Sequence, residues 1–248
     1  MRVRGALHIH STLSHDGTMT ISQLAEWYRA RRYQFIAMGE HSQDLSEERI
    51  ECLNQLSAEN SDGEFRIFPG IEFSCREGIH IFAPGVTSLI RETDPVAVAR
   101  EVRAQGGFSI LAHPQRLKWS CPREVLRAVD AVEFWNVGYD GKFLPPRNAP
   151  QEFRKMKEIN PQLLAVAGHD LHFSDGFYDV AIEMEIPELS LQSVLRILRG
   201  GSYQIRSRFF FTDSRARLSW SKATFLRLAC WQLDTVRRTR SYLLREST

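Results

Sequence analysis

Short apolar runs alternate with capped polar segments along the 248-residue chain. ALHIH at positions 6–10 reads as a first strand. Behind it, Ile21, Leu24, Ala25 and Tyr28 recur at the spacing of one helix face. Thr20 stands at the N-cap of that helix with Gln23 three residues on, the reciprocal pair of a capping box. QFIAMG (34–39) predicts a second strand and 45–57 a second helix. RIFPGIEFS (66–74) and IHIFAPG (79–85) predict two strands that turn around Glu77 and Gly78. Asp94 followed by Pro95 opens another helix, since aspartate caps and proline suits the first turn. FSILAH (108–113), AVEFWN (131–136), LLAVAGHD (163–170) and AIEMEI (181–186) are further strands, and 191–198 is a helix stopped by Gly200 and Gly201. Such alternation predicts an α/β class with a mostly parallel sheet, open or rolled into a barrel.

Two stretches depart from that rhythm. Residues 138–150 hold three prolines and two glycines and predict an irregular loop over the active face. Residues 220–244 predict one long helix with Leu226, Cys230, Leu233 and Val236 on a stripe. The expected division is therefore a main domain over 1–215 and a helical extension over 216–248. The extension is expected to pack on the main domain or on a partner subunit.

Composition adds exclusions more than identity. Hydrophobic residues at 43% and charged residues at 25% are ordinary for a globular protein. No apolar run approaches the roughly 18 residues of a membrane span, and the first ten residues lack the apolar core of a signal peptide. The four cysteines are scattered without a CxxC pair, which suits a reducing, cytoplasmic setting. Net charge is only +2, yet residues 196–248 carry twelve Lys and Arg against three Asp and Glu. That asymmetry fits either a polyanionic ligand or a solvated basic helix.

The histidines change the picture. All eight (His8, His10, His15, His41, His80, His113, His169 and His172) lie at or beside the predicted strands, and none follows His172. His8 and His10 alternate on the first strand and so leave one face. His41 follows the second strand, Glu72 closes PGIEFS, His113 ends FSILAH, and Asp170 and His172 follow LLAVAGHD. Strand ends converge in such domains, so the pattern predicts one metal site. Imidazole mixed with carboxylate favours Zn, Mn or Fe over Mg or Ca without choosing among them. Beyond the ligands, Arg116 is a candidate phosphate clamp or a surface arginine. Glu133 and Asn136 are candidates for lining the substrate pocket. Phe134 and Trp135 are core or substrate-stacking residues, and Arg206 and Arg208 face a polyanion or form a basic strand edge.

HIHSTLSHDG, GEHS, GIEFS, GIHIFAPG, AHP and GHDLH, in this order, resemble the PHP (polymerase and histidinol phosphatase) family of metal-dependent phosphoesterases. The resemblance spans about Val3 to Arg206. It implies a distorted seven-stranded (β/α)7 barrel of the PHP type, followed here by the long C-terminal helix. Two to three divalent ions (Zn, Mn or Fe) are implied, held by His8, His10, Asp16, His41, Glu72, His80, His113, Asp170 and His172. His15 and Asp16 can both reach such a site, and the resemblance assigns Asp16. The implied enzyme is a phosphoric ester hydrolase using a metal-bridging hydroxide held by Glu72, His10 and Asp170. Phosphomonoesters are the first expected substrates, as phosphorylated small molecules or nucleotides. A nuclease or phosphodiesterase acting on nucleotides or oligonucleotides comes second, and a non-catalytic metal-binding regulatory module third. Glu40 stands where the family has aspartate and is expected to orient His41 through its second ring nitrogen. His169 replaces a small hydroxyl residue and is expected to alter access or add a donor.

Overall fold

A computed structural model describes residues 1–173 and 179–245, with side chains of the last helix described as far as Gln232. In chain order the elements are β1 (Arg2–Ile9), α1 (Ile21–Ala30), β2 (Phe35–Met38), β3 (Glu40–His41), α2 (Glu47–Glu59), β4 (Arg66–Phe68), β5 (Gly70–Ser74) and β6 (His80–Pro84). There follow α3 (Pro95–Ala104), β7 (Ile110–Leu111), α4 (Arg123–Ala128), β8 (Ala131–Asn136), α5 (Val137–Asp140), α6 (Ala149–Ile159) and β9 (Leu164–Gly168). The chain ends through β10 (Ala181–Glu185), α7 (Leu191–Gly200), β11 (Tyr203–Arg206), β12 (Phe211–Asp213) and α8 (Trp220–Arg245).

The local signals act as read. Thr20 and Gln23 close both halves of the capping box on α1. The Asp94 carboxylate accepts from the Ala97 N–H with Pro95 in the first turn of α3. Gly201 ends α7 at φ 67°, where an L-residue would be strained. Two expectations change. The 138–150 stretch is not wholly irregular, because Asn136 caps the short α5 through the Tyr139 N–H. The sheet is mixed rather than mostly parallel, and its strands form two six-stranded sheets rather than one closed ring.

One sheet runs β12-β11-β10-β1-β2-β4 and the other β3-β5-β6-β7-β8-β9. Gly39 separates β2 from β3, and Pro69 separates β4 from β5. Proline has no N–H for the ladder, so the RIFPGIEFS run splits there between the two sheets. The sheets also meet at β1. The N–H groups of His169 and Asp170 donate to Leu7 O and His8 O (both 2.8 Å), and His10 N–H donates to Leu171 O (3.0 Å).

Strand alternation sorts the apolar side chains into two cores. Phe35 and Ala37 of β2 join Leu7 in the main core. Ile36 and Met38 turn to the other face, with Ala6, Ile9 and residues of α1 such as Leu24 and Tyr28. The long C-terminal helix is present as expected. Its Leu226 is buried, and Cys230 approaches Pro145 O at 3.5 Å, which seats its first half on the main body. The Leu233 and Val236 side chains of the expected stripe lie outside the described residues. Among the described residues no helix is long and apolar enough to cross a membrane.

Candidate metal centre

A backbone irregularity aims the first two histidines. With Leu7 facing the main core, plain alternation would send His8 to the opposite side. Instead the β1–β2 register slips between Leu7 and Ile9, and His8 adopts φ 64° as the extra residue. His8 and His10 then both point inward, while Ile9 turns out toward α1. His113 (φ 30°) and Asp170 (φ 50°) are bent the same way just past β7 and β9. Three expected ligands thus hold a left-handed backbone at a cost of about 1–3 kcal/mol each, a strain characteristic of functional sites. Two glycines give them room. A Cβ on Gly39 would come within 2.8 Å of the His8 ring, and one on Gly168 within 1.9 Å of the Glu133 carboxylate.

Glu72 sits at the centre of the cluster, 1% exposed. Its Oε1 lies 2.8 Å from His113 Nε2, 3.0 Å from His80 Nδ1 and 3.5 Å from His8 Nε2. Its Oε2 lies 2.9 Å from His41 Nδ1 and 3.8 Å from His10 Nε2. His80 reaches it from the start of β6 because β6 runs antiparallel to β5, bringing Ser74 opposite His80 and Glu72 opposite Phe82. Asp170 Oδ1 lies 3.3 Å from His10 Nε2 and 3.7 Å from His8 Nε2. At the outer edge, Asp16 faces His41 Nε2 (3.3 Å) and His172 Nε2 (3.2 Å). All nine expected ligands therefore meet in one place. His15 stands at the exposed margin of the cluster: its side chain is 61% exposed and Nδ1 binds Asp44 at 2.7 Å. Its Nε2 lies 3.9 Å from Asp16, which leaves it within reach of an ion shared with Asp16 and His41.

The electrostatics are those of a crowded, dry cluster. Burial works against the Glu72 carboxylate, yet His8, His113 and His41 outweigh it and hold its pKa well below the usual range. Burial likewise opposes charge on His8, but Glu133, Asp170 and Glu72 overcome it and raise its pKa well above the ordinary value. His10, which burial dominates, is pushed down to about 4 and stays neutral. His8 Nε2, His10 Nε2, Asp16 Oδ1, His41 Nδ1 and His172 Nε2 are buried without a properly aligned hydrogen-bond partner. Leaving such atoms unmatched costs about 1–3 kcal/mol apiece, so five in one cluster call for a ligand that accepts lone pairs. Divalent cations fit that donor set. Compact ligand groups occur at Glu72–His80–His113, at His8–His10–Glu72, at His10–His41–His172 and, at the outer edge, at His15–Asp16–His41.

A second layer fixes the rings. Glu133 is fully buried and does not line an open pocket: Oε1 accepts from His8 Nδ1 (2.8 Å), and Oε2 accepts from His113 N–H and Asn136 Nδ2 (both 2.7 Å). Asn136 is buried as well and reaches Asp170 Oδ2 at 3.2 Å. Glu40 does not bind the His41 ring as expected. It accepts from the Ser11 N–H and from Ser14 Oγ (2.6 Å), and Ser14 Oγ in turn receives the His41 N–H (3.0 Å) and faces His10 Nδ1 (3.4 Å). The carboxylate thus acts through a serine on a different histidine. His169 turns away from the cluster, its Nδ1 2.8 Å from Tyr28 Oη and its Nε2 2.5 Å from Val180 O. Burial pushes its pKa down to about 4.

Arg116 is exposed, with its guanidinium 5.6 Å from the centre of the Tyr139 ring. Tyr139 in turn lies 5.1 Å from His113 and is 50% exposed. Sequence reading missed Tyr139 because it fell in the stretch assigned to a loop. Its signal was the Asn136 cap that starts α5. Phe134 and Trp135 are core residues. Arg206 pairs with Glu183 at 3.8 Å, and it is not on a strand edge, because β11 lies between β10 and β12.

No family model matches the chain. A DNA polymerase/3'-5' exonuclease, PolX of Bacillus subtilis (strain 168), is 37% identical over 79 residues, which is 29% of this chain and 14% of that protein. A protein of Bifidobacterium adolescentis assigned as a metal-dependent phosphoesterase shares the fold with a TM-score of 0.51 at 16% identity, covering 69% of this chain and 88% of that one. The likeness to the PHP family stands. A lesion-specific endonuclease of Pyrococcus furiosus has a TM-score of 0.59 at 15% identity, over 83% of this chain and 58% of that one. An amidohydrolase of Chromobacterium violaceum has a TM-score of 0.55 at 13% identity, over 79% and 96%. At these identities the three solved structures share a fold with this chain.

Proposed function

We propose that the chain is a metal-dependent phosphoesterase of the PHP type. In this reading a domain over 1–215, a distorted relative of the seven-stranded barrel, carries the site, and 216–248 extend it. The observation that carries the proposal is the set of four unmatched buried histidine nitrogens and one Asp16 oxygen in the cluster built on Glu72. His80, His113 and Glu72 would hold one ion, and His8, His10, Asp170 and Glu72 a second. His41, His172 and Asp16 would hold a third, with Glu72 shared. When bound, such ions supply Lewis-acid charge toward phosphoryl oxygens and make a coordinated water more acidic.

The chain's own residues prepare that chemistry. Glu133 accepts a hydrogen bond from His8 Nδ1–H, and Ser14, backed by Glu40, accepts one from His10 Nδ1–H. Both Nε2 atoms therefore point toward Glu72 and Asp170, where a bound cation would replace the proton that the carboxylates favour on His8. His172 Nδ1 does the same toward Asp170 O at 3.0 Å. Asn136 occupies one oxygen of Asp170 and leaves the other to the cluster. Burial of Glu72 and His10 keeps bulk water out. Arg116, beside Tyr139 at the rim, is placed to grip a phosphate from outside. Phosphomonoesters are the preferred substrates, because a recessed cluster admits a terminal phosphate more readily than the middle of a chain. No lysine occurs before Lys118 to bridge metals as amidohydrolase chemistry would prefer.

The test is metal analysis of the purified protein, followed by turnover of a chromogenic phosphate monoester, a diester and an amide with added Mn. Hydrolysis of the monoester supports the proposal. Turnover of the amide alone would reject it.

A further inference from the structure

The excess of basic residues after Arg196 has no part in the metal cluster, and the fold gathers some of it into a groove. Helix α6 and the start of α8 flank a groove of about 1140 Å³. Arg147, Arg154, Lys157, Arg215, Arg217 and Arg227 line it, over an apolar floor that includes Phe153 and Leu226. Among the described residues no carboxylate lines it. Arg217 is paired with Asp213 at 2.5 Å, and the Lys157 ammonium donates to Pro161 O and Leu163 O. Arg147, Arg154, Arg215 and Arg227 have no acidic partner among the described residues. Cations held this close together without counter-charge repel one another, and a polyanion relieves that repulsion.

The groove's lining approaches the metal centre through shared residues and one ring contact. Arg147 and Asn148 also line a neighbouring cavity of about 480 Å³. Lys142, Phe143, Tyr139 and Gln115 line that cavity too, together with Asp140, whose carboxyl burial pushes up to about 7. The Tyr139 ring lies 5.1 Å from the His113 ring. Tyr139 and Phe143 are both exposed aromatics along this path. Basic side chains that track a backbone, interleaved with exposed rings on which bases can stack, form a surface suited to single-stranded nucleic acid. A duplex is too stiff and wide to bring a phosphate down to a carboxylate as buried as Glu72.

We infer that the α6–α8 groove and the cavity leading from it bind single-stranded nucleic acid and guide its terminal phosphate to the metal centre. The guiding role rests on the phosphoesterase reading. The docking surface itself rests only on the groove.

The experiment uses the full chain and a fluorescein-labelled 20-nucleotide oligothymidylate, with anisotropy read over a salt series. The variants are Arg154→Glu/Arg215→Glu/Arg227→Glu and the milder triple change of the same residues to Gln. Thermal melting confirms that each is folded. The Glu variant is expected to lose at least about tenfold in affinity. Removing three phosphate contacts should reduce the slope of log affinity against log salt by about 2. The Gln variant should lie between it and the natural chain, with turnover of a small chromogenic monoester unchanged in both. Binding equal to that of the natural chain in folded variants would overturn the inference. So would tighter binding of the corresponding duplex, of polyglutamate or of phosphatidylserine vesicles at the same salt. Groove-dependent binding without turnover of any phosphate ester would uphold the docking surface, reject the guiding role and count against the phosphoesterase reading.

Discussion

His10 and His169 are both fully buried, both stay neutral, and both have their pKa pushed down to about 4. By burial and titration they are twins, yet they do opposite work. His169 spends both ring nitrogens on the protein, on Tyr28 Oη and Val180 O, and pins the residue just before β10 to α1. His10 uses Nδ1 on Ser14 and leaves Nε2 with no partner beside Asp170 and Glu72. The comparison teaches that burial and titration do not mark a candidate ligand histidine. His8, His10, His41 and His172 are marked by unmatched nitrogens that converge, and His80 and His113 by nitrogens that meet on Glu72.

The largest effects should come from the side with unmatched nitrogens. Glu72→Gln or His10→Ala is expected to lose bound metal and at least about 10²–10³-fold in phosphoesterase turnover, while His169→Gln keeps its metal. Elemental analysis of the three proteins decides it, and full metal content in Glu72→Gln would break the comparison. Glu133→Gln removes the support behind His8 without removing a ligand. It should lower metal affinity or activity by about 10–100-fold, measured by competition with a chromogenic chelator.

Stability sharpens the comparison from the His169 side. The unfolded chain protonates this histidine near 6.5, whereas the folded protein does so only near 4. The unfolded state therefore binds more protons between those values. Its contribution is fully present above pH 6.5 and is lost as pH falls toward 4, by up to about 3 kcal/mol. Urea melts across this range should show a shallower pH slope for His169→Gln. An unchanged slope would show that His169 is not buried as described. Removing metal with a chelator should lower the melting temperature while leaving the fold in place, the loss amounting to about 2.7 kcal/mol if the metal was present at a hundred times its dissociation constant. A chelator that leaves melting untouched would count against a bound metal. The smallest effect belongs to His15→Ala, within about 0.5 kcal/mol and without change in turnover. A large loss there would return His15 to the ligand set.

Much of the site was legible because its motifs are short and local. The spacing of His8, His10, His113 and Asp170 against apolar runs located strand ends, and the Thr20 box and Asp94–Pro95 pair located helices. The roles of Glu133, Glu40 and His169 were not legible. Each depends on which of several nearby polar groups lies within 3 Å, and that distance follows from packing between segments up to 141 residues apart. Tyr139 was hidden for the same reason, since only the fold brings it against His113.

Sequence alone determined which histidines and carboxylates stand at strand ends, the capped helices and the basic bias of the C-terminal region, since these depend on residue type and on spacing along one segment. The nine-residue ligand set was implied by the family resemblance. Tertiary structure decided where the ladders break, at the His8 bulge and at Pro69, and so why His8 faces inward although alternation would turn it out. It also decided which carboxylates support a ligand and which histidine is merely packed. Hydrogen bonds across distant strands set those outcomes, and their geometry exists only once the sheets are assembled.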